Sequence, residues 1–512
     1  MNFPPLLRKR VLTLDGRNPK IFCDSVNSFD QAIISSIQNK NKDYVLYVMS
    51  CHRRWEDNAA LAFAMYLSDL LQKPLKVIEA LSSTYPWASQ RHHQFILQGM
   101  WDKKDYPSYE IYLGHNHQES VAKERCHFWP DHNQLPEECY KPIEYPWNFP
   151  VDQAVAIVGD WSPVFLHPNR ALGLQRYQKP LFLVDDCGMV PTLAWTKAEY
   201  AARFIRPKIV PFQKDFEEES IWIKNTIDNF QNFIRTDQKI SSDPIVFLED
   251  SLKLAGVSSD VKGCDLEGGP VAARKQLERF LSQKLTKYEE ERNHPDFNGT
   301  SRLSAYLHHG HLHCRTIIRD LKEYEGVEDP KDFSLSAQKF IDELITWREI
   351  GLNMAHYAYH AQLPLGHWDL IPPWAQKTLI EHPADEVWTL KQMEEAQTSD
   401  EVWNCTQREL LQTGLIHNYM RMLWGKGILK HSRTPQEALK NMEYLNNKYA
   451  LDGRDANSYV GIYWCLGKFD RPWPPARPGF GIVRSMSTKM ALKKLEMQGY
   501  CQRFSSSSIF MM

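Results

Sequence analysis

Short apolar runs alternate with amphipathic stretches over the first 208 residues. Tyr44–Met49, Leu75–Ile78, Val155–Val158 and Leu181–Val184 are nearly continuous apolar runs of strand length. Strands buried on both faces of a parallel sheet have this pattern. Asn58–Leu71, between the first two runs, has helical periodicity. Strands alternating with helices predict an α/β fold with crossover helices. No G-x-G-x-x-G follows these strands, so no dinucleotide fingerprint is inferred. The Gly159-Asp160 pair follows the third run, where such sheets bind ligands.

From Ile209 the strand signals fade and helical periodicity runs nearly to the end. Phe216–Thr236 reads as a charged amphipathic helix, followed by a polar, Gly-containing stretch over 256–269. The pattern divides the chain into an irregular arm over 1–42 and an α/β domain over 43–208. An interdomain connection over 209–270, one all-helical domain over 271–504 and a short, frayed tail over 505–512 follow.

Composition narrows this picture only a little. Hydrophobic residues make up 43% and charged residues 24%, as in an ordinary globular protein. The net charge of −2 and pI of about 6.8 exclude a bulk polycation, so a nucleic-acid partner would need a local basic patch. Ten Cys without a C-x-x-C pair offer no zinc or iron–sulfur spacing and predict reduced thiols, with no metal. No apolar run reaches about 18 residues, so no membrane span is expected. The 16 Trp point to large cores or to stacking and redox surfaces.

Four stretches carry candidate chemistry. Gly299, Thr300, Ser301, Arg302 and Ser304 surround the expected start of a helix, where orphan N–H groups, hydroxyls and a guanidinium favour a phosphate; a plain helix cap is the alternative. Glu343 and Trp347 are spaced i, i+4 on one expected helix, with Arg348 and Glu349 beside them. In Glu409–Trp464, His417 and Arg421 share one helix face and Asn418 and Met422 the next. Asn446 and the D-G-R-D-A-N run 452–457 close the set.

These stretches resemble the photolyase/cryptochrome family. TSRLS, with Tyr288 twelve positions before Thr300, is similar to its flavin signature. Residues 340–349 resemble its ELIxWRE helix. Trp403-Asn404, ELLQTG and HNYMRMLWGKGIL are most similar to the class II cyclobutane photolyases. YVLYVMSCHRRWEDNAALAFA and TKAEYAARFIRPKI resemble the two ends of their α/β domain, so the likeness runs from about Val45 to Phe504.

The resemblance implies a Rossmann-like photolyase domain with a parallel sheet, then an all-α FAD-binding domain. FAD would be held by Tyr288, Thr300, Ser301, Arg302, Leu303, Ser304, Arg348, Arg421, Asn446, Asp452, Arg454 and Asn457. An antenna chromophore of folate or deazaflavin type is a further expectation. Glu343, Trp347, Asn418, Met422 and Trp464 would act at the lesion, a carboxyl group there stabilising a pyrimidine radical anion. Trp424 and Trp403 would pass electrons to the flavin. Two positions depart from class II. Asn418 stands where Gly is usual and matches the HNRxRM of class I, and His431 stands where a Trp is expected seven positions beyond Trp424.

The expected activity is light-driven repair of cyclobutane pyrimidine dimers by a deoxyribodipyrimidine photo-lyase. A flipped-out dimer would receive an electron from reduced FAD, and a monomer is expected. Lys426, Lys430, Arg433, Arg484 and Lys489, joined by His431, Lys493 and Lys494, would track the DNA backbone. The chain would work at a bacterial nucleoid or in a eukaryotic nucleus. Three alternatives stay open: a cryptochrome-type receptor, (6-4) photoproduct repair, tied to a His pair beside the flavin, and an inactive flavin-bearing nucleic-acid-binding protein. His308, His309, His311 and His313 are expected on helix faces away from the lesion.

Overall fold

The structure, a computed structural model, describes residues 3–23, 28–37, 41–83, 85–114, 150–234, 236 and 238–506. The frayed end expected of the tail lies outside the described residues beyond 506. All four apolar runs form strands. They are β3 (Tyr44–Met49), β4 (Leu75–Ser82), β6 (Ala154–Trp161) and β7 (Leu181–Asp185), with β5 (Tyr109–Gly114) beside β4. These five pair in parallel, β3 with β4 and β6, β4 with β5, and β6 with β7. The helix Ala59–Leu71 begins where Asn58 accepts the Leu61 N–H, ends at left-handed Gln72, and packs on β3.

The arm is not irregular. Its residues form β1 (Val11–Asp15) and β2 (Asn18–Ile21), an antiparallel hairpin turning at Gly16 with φ +61°. β1 pairs antiparallel with β7, so the sheet is mixed, with seven strands in the order β2-β1-β7-β6-β3-β4-β5. The stretch 209–270 carries packed helices of its own. The helix Gln213–Asn229 packs on Ala59–Leu71, and the helix Pro244–Ala255 packs on β5 and the helix Gln90–Asp102. Trp222, Ile223 and Phe247 join the same core as β3 and β4.

Gly159 and Asp160 lie inside β6 rather than in a turn. Asp160 Oδ2 accepts the backbone N–H groups of Ser50, Cys51 and His52 at 2.7, 2.8 and 3.0 Å, and Tyr47 donates to Oδ1 at 2.8 Å. Cys51, His52 and Asp160 thus lie within 4.8 Å of one another, with the carboxylate committed to shaping the loop after β3.

The carboxyl ends of the strands meet the helical part through a fully buried ion network. Arg10 Nε donates to Glu219 at 2.6 Å, and Arg315 Nη2 donates to its other oxygen at 2.7 Å. Arg315 and Arg54 both bind Asp186. Arg10 also donates to the carbonyls of Asp185 and Met189. Such charges are tolerated in a core because each is paired. The helical core itself runs from Leu277 and Phe280 to Tyr500, and takes in Cys187, Met189 and Val190 from the loop after β7.

Candidate active site

The phosphate-binding candidate is a turn, not a cap. The helix following it spans Ser304–His308 with Leu303 at its N-cap, and no side chain caps it. The hydroxyls of Thr300 and Ser301 are therefore not spent on the helix. Arg302 has φ +55° and Asn298 φ +51°, a left-handed backbone that costs a non-glycine residue about 1 kcal/mol or more. Arg302 Nε donates to Asn298 Oδ1 at 2.9 Å, and Gln276 holds the Ser301 carbonyl at 2.8 Å. Tyr288 is packed edge-on between Phe280 and Phe340.

Glu343 and Trp347 do not share a regular α-helix. Asp342–Thr346 forms one π-helical turn between the helices Leu335–Ile341 and Trp347–His360. Such turns bulge a helix and recur at functional sites. Both side chains line the cavity. Glu343 Oε1 accepts from Arg292 Nη1 at 2.7 Å and pairs with Lys339 at 3.2 Å. The next two residues tie the site to the α/β part. Arg348 Nε donates to the Cys187 carbonyl at 2.9 Å, and Glu349 accepts the Met189 N–H at 2.5 Å. Burial pushes the Glu349 carboxyl up to about 7.

The opposite wall is the helix Asn418–His431, entered through His417. Arg421 Nη2 lies 2.7 and 2.9 Å from the two oxygens of Asp452, and its Nη1 donates to Asn446 Oδ1 at 3.2 Å. Gly461, whose Cβ would lie 3.2 Å from Met422 Cε, leaves Met422 its place. Trp464 closes this wall, with Lys426 Nζ 4.9 Å and Arg484 Cζ 5.8 Å from its ring.

Together these elements line an open cavity of about 1120 Å³, larger than a single small-molecule site usually is. The residues Tyr288, Thr300, Ser301, Arg302, Leu303, Ser304, Arg348, Arg421, Asp452 and Asn457 all line it. So do Glu343, Trp347, Asn418, Met422, Trp464 and Arg484. Basic side chains outnumber acidic ones in its walls, which favours an anionic guest.

Several expected residues lie elsewhere. Asn446 stands behind the wall, its amide donating to Ser458 Oγ at 2.7 Å and Asn447 Oδ1 at 3.0 Å. Arg454 is turned away. It is buried, donates to His92 Nδ1 at 2.9 Å and packs over Tyr85 and Phe165, so it fastens the DGR turn to the α/β part. Its backbone is left-handed, φ +69°. Lys426 is not a surface cation. It is fully buried, donates to the Cys465 carbonyl at 2.8 Å, and burial pushes its ammonium down to about 8. Lys430, Arg433 and Lys489 are exposed. Trp424, on the helix Asn418–His431, and Trp403 are buried and do not line the cavity; the Trp403 Nε1 donates to the Trp424 carbonyl at 2.9 Å.

The cavity also holds His417, Arg292 and Asp455, to which the sequence assigned no individual role. His417 lines it with both ring nitrogens lacking a protein partner, as does the Asn418 Oδ1 atom. Burial pushes the His417 imidazole down to about 3, so it is neutral at physiological pH. Arg292 and Asp455 are also among the cavity's lining residues. The i, i+4 relation to Arg421 was the visible signal for His417. Arg292 depends on a partner 51 positions away and left none. None of His308, His309, His311 and His313 lines the cavity.

No family model matches the chain. It is 31% identical over 467 residues to the deoxyribodipyrimidine photo-lyase of Methanothermobacter thermautotrophicus, covering 90% of this chain and 94% of that one. It is 32% identical over 370 residues to the enzyme of that name from Oryza sativa subsp. japonica, covering 68% of each. In fold it resembles a Synechocystis cryptochrome, with a TM-score of 0.62 at 15% identity over 91% of this chain and 89% of the other. It also resembles a class III photolyase from Agrobacterium tumefaciens, with a TM-score of 0.60 at 14% identity over 91% and 86%. Matched along nearly its whole length by photo-lyase sequences and folded like photolyases and cryptochromes, the chain belongs to the deoxyribodipyrimidine photo-lyase family.

Proposed function

We propose that the chain repairs cyclobutane pyrimidine dimers in DNA by light-driven electron transfer, with FAD and a flipped-out dimer sharing the cavity. One observation carries this reading: Glu343, Trp347, Met422 and Trp464 line the same cavity as the turn 300–304. When bound, reduced FAD supplies light absorption and one donated electron. The walls fit such a guest. Thr300, Ser301, Arg302 and Ser304 would hold its phosphates. Arg421, Asp452 and Asn457 would hold the flavin edge, with Asn446 fixing Arg421 from behind. The buried nitrogens of His417 and Oδ1 of Asn418 await a partner, and a buried polar atom is costly without one.

The remaining work falls to this chain's own side chains. Trp347 and Trp464 offer flat apolar faces to a base pulled from the duplex, whose weak stacking lowers the flipping cost. Glu343, which holds Arg292 at 2.7 Å, would accept from a pyrimidine N–H, and Arg292 would present a fixed positive charge to a pyrimidine radical anion. Lys430, Arg433, Lys489 and Arg484 would contact backbone phosphates. Among the described lining residues His417 is a single histidine rather than a pair, which favours the cyclobutane dimer over the (6-4) photoproduct. An antenna pigment of folate or deazaflavin type is a second expectation, tested by the absorption spectrum of the purified protein.

The test is blue-light irradiation of reduced holoprotein with an oligonucleotide carrying a thymine cyclobutane dimer. Recovery of thymine absorbance supports repair, and no recovery with flavin bound sinks it. Glu343→Ala is expected to lower the yield while flavin stays bound.

A further inference from the structure

The aromatic path away from the cavity does not end at His431. That imidazole is stacked flat on the indole of Trp388, with ring centroids 3.8 Å apart and planes 8° from parallel. Trp388 in turn lies 5.3 Å from Trp403, centroid to centroid. The segment carrying it is pinned to the helix end by the Trp388 N–H, which donates to the His431 carbonyl at 2.8 Å. Trp388 is buried, yet its Nε1 donates to Ser399 Oγ at 3.0 Å and to Glu386 Oε1 at 3.2 Å. The Glu386 side chain is 54% exposed. Its carboxyl is held below the usual range by the Ser399 hydroxyl and, after an opposing effect of burial, by the Trp388 indole, so it is ionised at neutral pH.

We infer that Trp388 is the terminal electron donor of this chain and that Glu386 takes its indole proton. The inference rests on the reading of Trp424 and Trp403 as the route toward a flavin, with a photoexcited flavin as the one-electron oxidant. Once one electron has left Trp424 toward the cavity, Trp403 returns one to Trp424, and Trp388 returns one to Trp403. The Trp388 radical cation then breaks its Nε1–H bond. The proton goes to the Glu386 carboxylate, leaving a neutral Trp388 radical and a neutral carboxylic acid. A thiol reductant in solution restores the indole by giving one electron and one proton, and Glu386 releases its proton to water. Glu386 thereby places the exit at solvent, a position that His431, a poor one-electron donor, does not fill. The stacked imidazole keeps the Trp388 ring in place; burial holds it below its ordinary pKa and thus neutral.

The experiment is transient absorption and electron paramagnetic resonance of the oxidised holoprotein under blue light, with repair scored separately on chemically reduced protein. Trp388→Phe is expected to lose the long-lived neutral tryptophanyl signal. Trp388→Tyr is expected to replace it with a tyrosyl signature, an exchange that a purely structural role does not produce. Glu386→Gln leaves every aromatic ring in place and is expected to shorten the radical's lifetime, which keeps the proposal testable if Trp388→Phe folds poorly. A parental tryptophanyl signal in Trp388→Tyr overturns the assignment of the terminal donor, and a parental lifetime in Glu386→Gln overturns the proton step. If Trp403→Phe also leaves the signal unchanged, the underlying route has failed rather than its last member.

Discussion

Arg421 and Asp452 form a close ion pair in the cavity wall, one guanidinium nitrogen reaching both carboxylate oxygens at 2.7 and 2.9 Å. The second nitrogen reaches Asn446. A lysine offers a point charge instead of this planar fork. Arg421→Lys is therefore expected to weaken flavin retention about tenfold or more. The ratio of flavin to protein absorbance after gel filtration measures it, and parental retention would count against the pair as a cofactor clamp.

Gly427 is the seat of Trp403. A Cβ there would lie 2.4 Å from Trp403 Cδ1 and 2.7 Å from Nε1. Gly427→Ala must push the indole off the helix and strain its bond to the Trp424 carbonyl. The expected cost is about 1–3 kcal/mol despite the better helix propensity of alanine. Thermal unfolding checks the cost, and near-ultraviolet circular dichroism checks the ring.

Glu349 makes stability depend on pH. Its folded carboxyl titrates at about 7 against an ordinary 4.5. Between those values the folded chain holds a proton that the unfolded chain has released. The carboxyl's contribution is thus whole below about 4.5 and is lost as pH rises through about 7. Glu349→Gln should be more stable than the parent at about pH 8, by up to a few kcal/mol, with the gap closing toward about pH 5. Urea unfolding at both pH values decides it, and a gap that does not change with pH refutes it.

Lys426 and Lys489 should separate in a salt titration. Lys489→Ala is expected to reduce the salt slope of DNA binding by about one. Lys426→Met should leave that slope unchanged and instead loosen Trp464, read by its fluorescence. Equal slope losses in both would return Lys426 to the DNA surface.

What the sequence made visible follows from burial. β3, β4, β6 and β7 lie deep in the sheet and read as unbroken apolar runs. β5 at one edge alternates Tyr109, Glu110, Ile111, and β1 and β2 at the other carry polar residues on alternate positions, so no run announced them. Asp15-Gly16 was their one local mark, a hairpin signal between alternating residues. In the cavity, most residues came from contiguous stretches that chain order already brought together. Lys426, expected at the DNA surface, and Arg454, expected at the flavin, were misplaced because the distant partners that hold them, the Cys465 carbonyl and His92, leave no local mark. The π turn at Asp342–Thr346 was invisible because its residues also suit an α-helix.

The hairpin formed by β1 and β2 bears on how the chain can be cut. β7 is flanked by β6 on one side and by residues of the first fifteen on the other. A version beginning at residue 43, the apparent start of the α/β domain, would bare the short apolar edge of β7 to pairing with a second molecule. It would also strip Arg10 from Glu219, leaving that carboxylate to Arg315 alone. Self-association, not loss of the sheet, is the expected fate of such a truncation, so the opening residues guard against aggregation.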